Sequence, residues 1–432
     1  MIVTLCEHEE DPFLLPLVDF HTHIGRVKIE TTKGASQRVN RPQDIINLYE
    51  KLQYELHKRV TQDQSEYYVT LPPAEELSKP LFPAVEQLLN FKSVKPRGWL
   101  VDGIVAFPFN DIFHLQTNPK FVKSNQYVRH QIYSFAFSFR FIPFCRVDVT
   151  DDGASEEVRK SVNLGMRGLK LHPMSQGWIE NIVTPHCKEV LKTAGELSIP
   201  IIFDVPNKGV ACDITTIAEE TRGEVSFPIN IVLGHTAFDY SSPELFICLM
   251  KNGMFAETSG MRGKDVEIFF TNLLKNEVNK WENKILFGTD HNYFSVLQAA
   301  DFITFLFSWK FKELLSQHDY NGSPLEIAAK ILGGNALKII RPSWRTSGEN
   351  ITPRKLENNG YSASLSTLYS GIKKFLGQEN NYSVFDLIAS LNEENLSIQV
   401  LTIGGENRKR TFILQAKENY QKIFLLPLSD NL

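Results

Sequence analysis

At 432 residues, with 42% hydrophobic and 22% charged side chains, the chain can build one large core plus a smaller unit, and its composition excludes a disordered or fibrous protein. Its 46 basic and 50 acidic residues leave a formal net charge of -4, which gives no electrostatic footprint for nucleic acid or an anionic membrane. No uncharged stretch approaches the ~20 residues that a membrane span needs.

In chain order, eight short β-rich runs alternate with helical patterns: 17–21 (LVDFH), 103–108 (GIVAFP), 139–145 (FRFIPFC), 167–172 (RGLKLH), 199–204 (IPIIFD), 229–235 (INIVLGH), 253–257 (GMFAE) and 284–288 (KILFG). Between them, segments such as 155–165, 188–197 and 242–253 carry helical periodicity. Strands alternating with helices predict parallel βαβ units, and eight of them predict a closed (β/α)8 TIM barrel; the competing architecture is an open doubly wound sheet.

Two stretches exceed a minimal barrel. Residues 26–100 form a long insertion after the first strand, expected to cap the site or to pack as decoration, with Ile46, Tyr49, Leu52 and Leu56 on one helical stripe. Beyond Pro342 a Ser-, Asn- and Gly-rich linker precedes two helical patterns (367–377 and 384–392) and a hairpin (397–415) that turns at GGEN. The expected division is a barrel over 1–341 and a small C-terminal α+β unit over 342–432.

The opening MIVTLCEHEEDPFLLP is broken by acids before any apolar run could act as a secretory leader. Cys6, Cys145, Cys187, Cys212 and Cys248 form no C-x-x-C pair and read as buried thiols in a reducing compartment. The expectation is a cytoplasmic protein, with a homodimer plausible and no nucleic-acid or membrane partner.

Chemistry concentrates at strand ends. In VDFHTHIG, alternation along a strand turns Asp19, His21 and His23 the same way, so two imidazoles can grip one divalent cation. In ILFGTDHNYF, Asp290 follows the eighth run; ring closure would set it beside the first, able to bind the metal and to take a proton from its water. The competing reading of Asp290 is a helix cap. His235 ends the sixth run and suits acid/base work. Lys170 and His172 share one face of the fourth run. A buried lysine needs a counter-charge or a modification such as carboxylation, and an ion pair is the simpler expectation. Together with Arg146 and Arg262 these residues could hold an anionic group of a substrate.

The ordered set VDFHTHIG, RFIPFCRVD, GMRGLKLHP, INIVLGHTA, ILFGTDHNY and ILGGNALKII resembles the amidohydrolase-related family, the branch of metal-dependent TIM barrels that contains aminocarboxymuconate-semialdehyde decarboxylase. The resemblance runs from about residue 17 to 341. It implies a divalent metal, zinc first and manganese or another cation as alternatives, held by His21, His23 and Asp290, with His235 assisting catalysis. At the strand-five position, where relatives carry histidine, this chain has Asp204, a ligand of harder preference or the mark of a weakened site. The resemblance implies a hydrolase acting on an amide, ester or lactone of a small anionic molecule. The alternatives are a non-oxidative decarboxylase on the same residues and an inactive barrel serving as a binding scaffold.

Overall fold

The computed structural model describes residues 17–31, 34–59, 103–111, 113–133, 141–291 and 293–340, together with strand segments within 2–15, 67–70 and 399–428. Eight parallel strand positions form the centre: β1 (Val18–Thr31), β2 (Gly103–Pro108), β3 (Phe141–Pro143 and Cys145–Arg146, split at Phe144), β4 (Leu169–Leu171), β5 (Ile201–Phe203), β6 (Ile231–Leu233), β7 (Met254–Glu257) and β8 (Ile285–Leu286). Each pairs in parallel with the next, from Val18 beside Gly103 to Glu257 beside Leu286.

The ring closes. Phe20 N donates to Phe287 O at 2.9 Å, Asp290 N donates to His21 O at 2.7 Å, and Thr22 bridges His291 in parallel register. An open sheet would leave the groups of β1 and β8 unpaired. The predicted (β/α)8 barrel is therefore the architecture, and its two end strands stand side by side.

Helices wrap the ring as the periodicity predicts: α1 (Pro42–Arg59), α2 (Val122–Tyr133), α3 (Ala154–Asn163), α4 (Pro185–Glu196), α5 (Lys208–Glu224), α6 (Pro243–Met250), α7 (Gly263–Lys275) and α8 (Val296–Leu306). Local chemistry sets their starts. The Thr184 hydroxyl accepts from Cys187 N ahead of Pro185, Asn207 accepts from Val210 N, and Ser295 forms a capping box with Gln298.

Within the insertion, β1 continues into a hairpin with Gly34–Asn40, and α1 buries Ile46, Tyr49, Leu52 and Leu56 on one stripe, packed beside α8 and tied to it by an ion pair from Arg59 to Asp301 at 2.8 Å. Residues 71–100, the linker and the two C-terminal helical patterns lie outside the described residues. Gln399–Ile403 and Arg410–Ala416 pair as an antiparallel hairpin, extended by Ile423–Leu428 into a three-stranded sheet. Cys145, Cys187, Cys212 and Cys248 are free thiols, and among the described residues no helix is long and apolar enough to cross a membrane.

Candidate metal centre

The site is assembled where strands end. A β-bulge between Asp19 and Thr22 resets the alternation of β1. The expectation that simple alternation turns Asp19 the same way as His21 and His23 is corrected by it. Asp19 instead accepts from Tyr49 of α1 (2.7 Å), from Thr289 N (3.0 Å) and Oγ1 (2.5 Å), and from His21 N (3.1 Å). Burial pushes its carboxyl up to about 6, against the pull of those four bonds. Asp19 is a brace joining β1, the segment after β8 and the outer helix α1.

His21, His23 and Asp290, all buried, offer ligand atoms within 4.8 Å of one another. Asp290 Oδ1 lies 3.3 Å from His23 Nε2 and 3.7 Å from His21 Nε2. Yet this oxygen has no hydrogen-bond partner among the described residues. Bonds of ~2.0–2.2 Å to a tetrahedral cation put neighbouring ligand atoms ~3.3–3.6 Å apart. Spacing, donor types and the orphaned oxygen thus fit a divalent cation. With protein neighbours alone, burial pushes Asp290 up to about 8, with nearby Glu257 and Asp204 adding to the rise and His235 and Lys170 opposing it. The His23 ring is held by stacking on Phe109, with centroids 4.6 Å apart and planes within 9°.

Glu257, at the end of β7, organises the two central imidazoles. Its Oε1 accepts from His235 N (2.6 Å), from Ser259 Oγ (2.7 Å) and from His21 Nδ1 (2.8 Å), while Oε2 accepts from Ser259 N (2.7 Å). Directions follow. His21 must carry its proton on Nδ1, leaving the Nε2 lone pair facing Asp290 and His23. His21, His235 and Glu257 also approach within 4.8 Å, but this carboxylate is already engaged by four donors.

Ser259 spends its hydroxyl proton on Glu257, so its oxygen accepts from His235 Nδ1 at 2.8 Å. His235 Nε2 then faces Asp204 Oδ1 at 3.3 Å, a hydrogen bond only when the ring is an imidazolium. Burial pulls the His235 pKa down, but the Asp204 bond and the charges of Glu257 and Asp290 leave it raised. Asp204 is held well below the usual carboxylate range: burial opposes this, and His172, His235 and Lys170 overcome it.

The backbone under His235 is strained. His235, Thr236, Ala237 and Phe238 have φ of 56°, 49°, 56° and 49°, four consecutive left-handed residues with no glycine among them. Each costs roughly 1–2 kcal/mol. The turn is held by the His235 N bond, by Thr236 Oγ1 donating to Glu257 O (2.7 Å) and by Phe238 stacked on His235 at 4.6 Å. Such strain collects where a fold over-determines a working side chain.

The other sequence-predicted residues divide. Lys170 is fully buried, its Nζ 3.3 Å from His21 Nε2 and 4.9 Å from the Phe107 ring centre; burial pulls its pKa down, partly offset by Asp204 and Asp290. His172 Nδ1 lies 3.2 Å from Asp204 Oδ2, and burial pulls its pKa down to about 3. Asp204, expected as a ligand, stands between two imidazoles and belongs to neither three-ligand group. Arg262 is exposed at the start of α7, its backbone N donating to Asp265, and stands outside the cluster because the chain has already turned from β7 into the helix. Glu257 and Ser259 escaped the sequence reading; the only signal was an acid ending the seventh β-run.

No family model matches this sequence, and no curated protein does. Among solved structures the chain is similar to a probable 2-pyrone-4,6-dicarboxylic acid hydrolase from Acinetobacter baumannii, at 13% identity and a TM-score of 0.46 over 76% of this chain and 99% of that one. It is similar also to 5-carboxyvanillate decarboxylase from Sphingomonas paucimobilis (14% identity, TM-score 0.43, 76% and 99% covered). A third is 2,6-dihydroxybenzoate decarboxylase in complex with its namesake acid (15%, 0.40, 76% and 99%).

Proposed function

We propose that this chain is a metal-dependent hydrolase that cleaves an amide, ester or lactone of a small anionic molecule, with zinc as the first candidate cation and manganese or another divalent ion next. The observation that carries the reading is the buried Asp290 Oδ1, without a hydrogen bond among the described residues yet 3.3 Å from His23 Nε2 and 3.7 Å from His21 Nε2. A cation bound there supplies Lewis acidity, polarising a carbonyl and bringing the pKa of water toward ~7.

The protein's own groups have separable tasks. Asp290, ionised once it holds the cation, accepts the proton of the attacking water. Its other oxygen lies 4.0 Å from His235 Nε2, the donor placed to protonate the leaving group. Asp204 is assigned to holding His235 charged and oriented, not to the cation. Lys170 and His172 face the same space and bind substrate. The barrel, residues 1–341, is the enzyme unit, and 342–432 is a separate small α+β unit.

Assay of zinc-loaded protein against aryl esters, lactones and N-acyl amino acids tests this. Turnover is expected, and Asp290→Asn should lower it by about 10²–10⁴-fold; undiminished turnover in that variant contradicts the assignment. Non-oxidative decarboxylation is a second reading, favoured by the His235 proton, which would replace the carbon dioxide lost from carbon. Carbon dioxide release from aromatic acids separates the two.

A further inference from the structure

Two of the free thiols meet outside the metal centre. Cys248 of α6 donates its S–H to Cys212 Sγ of α5, with the sulfurs 3.9 Å apart. Cys248 is buried and Cys212 half-buried, so one member of the pair is open to small oxidants from solvent.

Packed thiols commonly serve only as small apolar groups. Here the two helices that carry them are held in register on either side. Lys208 Nζ meets Glu244 Oε1 at 3.3 Å, one turn before the cysteines on both helices and at the same separation of 36 residues. Beyond the cysteines, Lys251 Nζ meets Glu219 Oε2 at 3.3 Å. Exposed pairs of this kind contribute little stability, but they fix which residues of α5 and α6 stand opposite each other. A disulfide needs its sulfurs ~2.05 Å apart, so each must cover roughly 1 Å, which rotation about Cα–Cβ supplies.

The location gives the pair its consequence. The α5 helix leaves the strand end that carries Asp204, and α6 follows the turn that carries His235. Those two side chains face each other at 3.3 Å. A covalent tie between α5 and α6 therefore stands behind the two loops that set this contact.

We propose that Cys212 and Cys248 are a redox-reactive pair that a peroxide closes into a reversible disulfide, strapping α5 to α6. The Cys212 thiolate attacks one peroxide oxygen; the O–O bond breaks, hydroxide leaves and Cys212 becomes a sulfenic acid. The Cys248 sulfur then attacks that of Cys212, the S–S bond forms, the S–O bond breaks and a second hydroxide leaves. Two electrons pass from the thiols to the peroxide, and the two thiol protons turn both hydroxides into water. Burial pushes the Cys248 thiol up to about 11 against a hydrogen bond with Thr215, with Cys212 adding to the rise; the more exposed Cys212 reacts first. Burial likewise pushes up the thiols of Cys145 and Cys187, which keeps them inert. Closing a loop of 36 residues restricts the unfolded chain, so the linked form unfolds at higher temperature.

Treatment of the full chain with one equivalent of hydrogen peroxide, then alkylation of the remaining thiols and mass spectrometry, tests this. The oxidised chain should carry two fewer alkylated thiols and yield a peptide joining Cys212 to Cys248, both reversed by dithiothreitol. Its Tm should rise by about 3–8 °C. Cys212→Ser and Cys248→Ser should each abolish the link and the rise. Cys212→Ser, at the half-buried position, keeps the test decisive should the other variant fail to fold. Retention of all thiols, oxidation of Cys212 to a sulfinic acid without a link, or a link to another cysteine or a second chain overturns the strap. So does a linked form whose Tm is unchanged, or an equal rise in Cys212→Ser.

Discussion

The Glu257 carboxylate meets His21 Nδ1 at 2.8 Å across 236 residues of sequence, and this contact decides which nitrogen of His21 is free for a cation. Carboxylates that orient a metal-ligating imidazole typically contribute 10–100-fold to metal affinity. Glu257→Gln keeps the shape but offers one acceptor where Oε1 now serves three donors and Oε2 one. Zinc affinity by competition with a chromophoric chelator should fall 10–100-fold; an unchanged value would mean that His21 is not a ligand.

Gly288 sits where β8 passes behind that contact. A Cβ there would run into the Glu257 carboxylate and lie 3.2 Å from His21 Cβ. Gly288→Ala should therefore displace Glu257 and cost zinc affinity as Glu257→Gln does, together with about 1–3 kcal/mol of stability from overpacking. Thermal unfolding and zinc titration on one preparation check both effects.

Proton linkage offers a test at Asp290. With its pKa at about 8 before a cation binds, the carboxyl is mostly protonated at pH 7, and a ligand must be ionised. Zinc binding should release close to one proton from this group at pH 7 and almost none near pH 9.5. Calorimetry in buffers of different ionisation enthalpy reads the number. Release that does not decline over that interval contradicts the placement of Asp290.

His235 and Asp204 give the opposite limb. The raised His235 pKa means that the imidazolium form persists above its usual range and is lost as pH rises through the raised value. Turnover that needs His235 as the acid therefore falls on the alkaline side, and Asp204→Asn should move that fall to lower pH by removing the charge that holds the proton. The stability of the pair follows the same sign: it is fully present below the unfolded histidine value of ~6.5 and lost above the folded one. On the acid side it is lost as pH falls through the depressed Asp204 value.

Tyr49→Phe tests the brace between α1 and the ring. It removes the 2.7 Å bond to buried Asp19 at a cost of about 1–2 kcal/mol, a fall of several degrees in Tm. A Tm unchanged within error would show that α1 is not fastened through Asp19.

The barrel was legible because each β-run carries its apolar residues in one block and each helix its own stripe, both of them local patterns. His21, His23, Asp290 and His235 were legible because they end such runs. Glu257 was not: its partners are His21 and His235, and nothing in MFAETSG distinguishes a hub from a polar strand end. The bulge at 19–22 was hidden for a similar reason, since an extra residue in a strand leaves no mark on an HTH spacing. The left-handed turn at 235–238 was hidden because no glycine or asparagine announces it. Asp204 was noticed as a departure, but its choice between a cation and His235 depends on a loop geometry that sequence spacing does not encode.

Metal analysis of purified protein against the His23→Ala and Asp290→Asn variants tests the central claim most directly. The account predicts about one equivalent of divalent metal per chain in the parent, most of it lost in each variant while the fold, read by circular dichroism, is kept. Metal-free parent protein after zinc reconstitution, or equal metal in parent and variants, would contradict it.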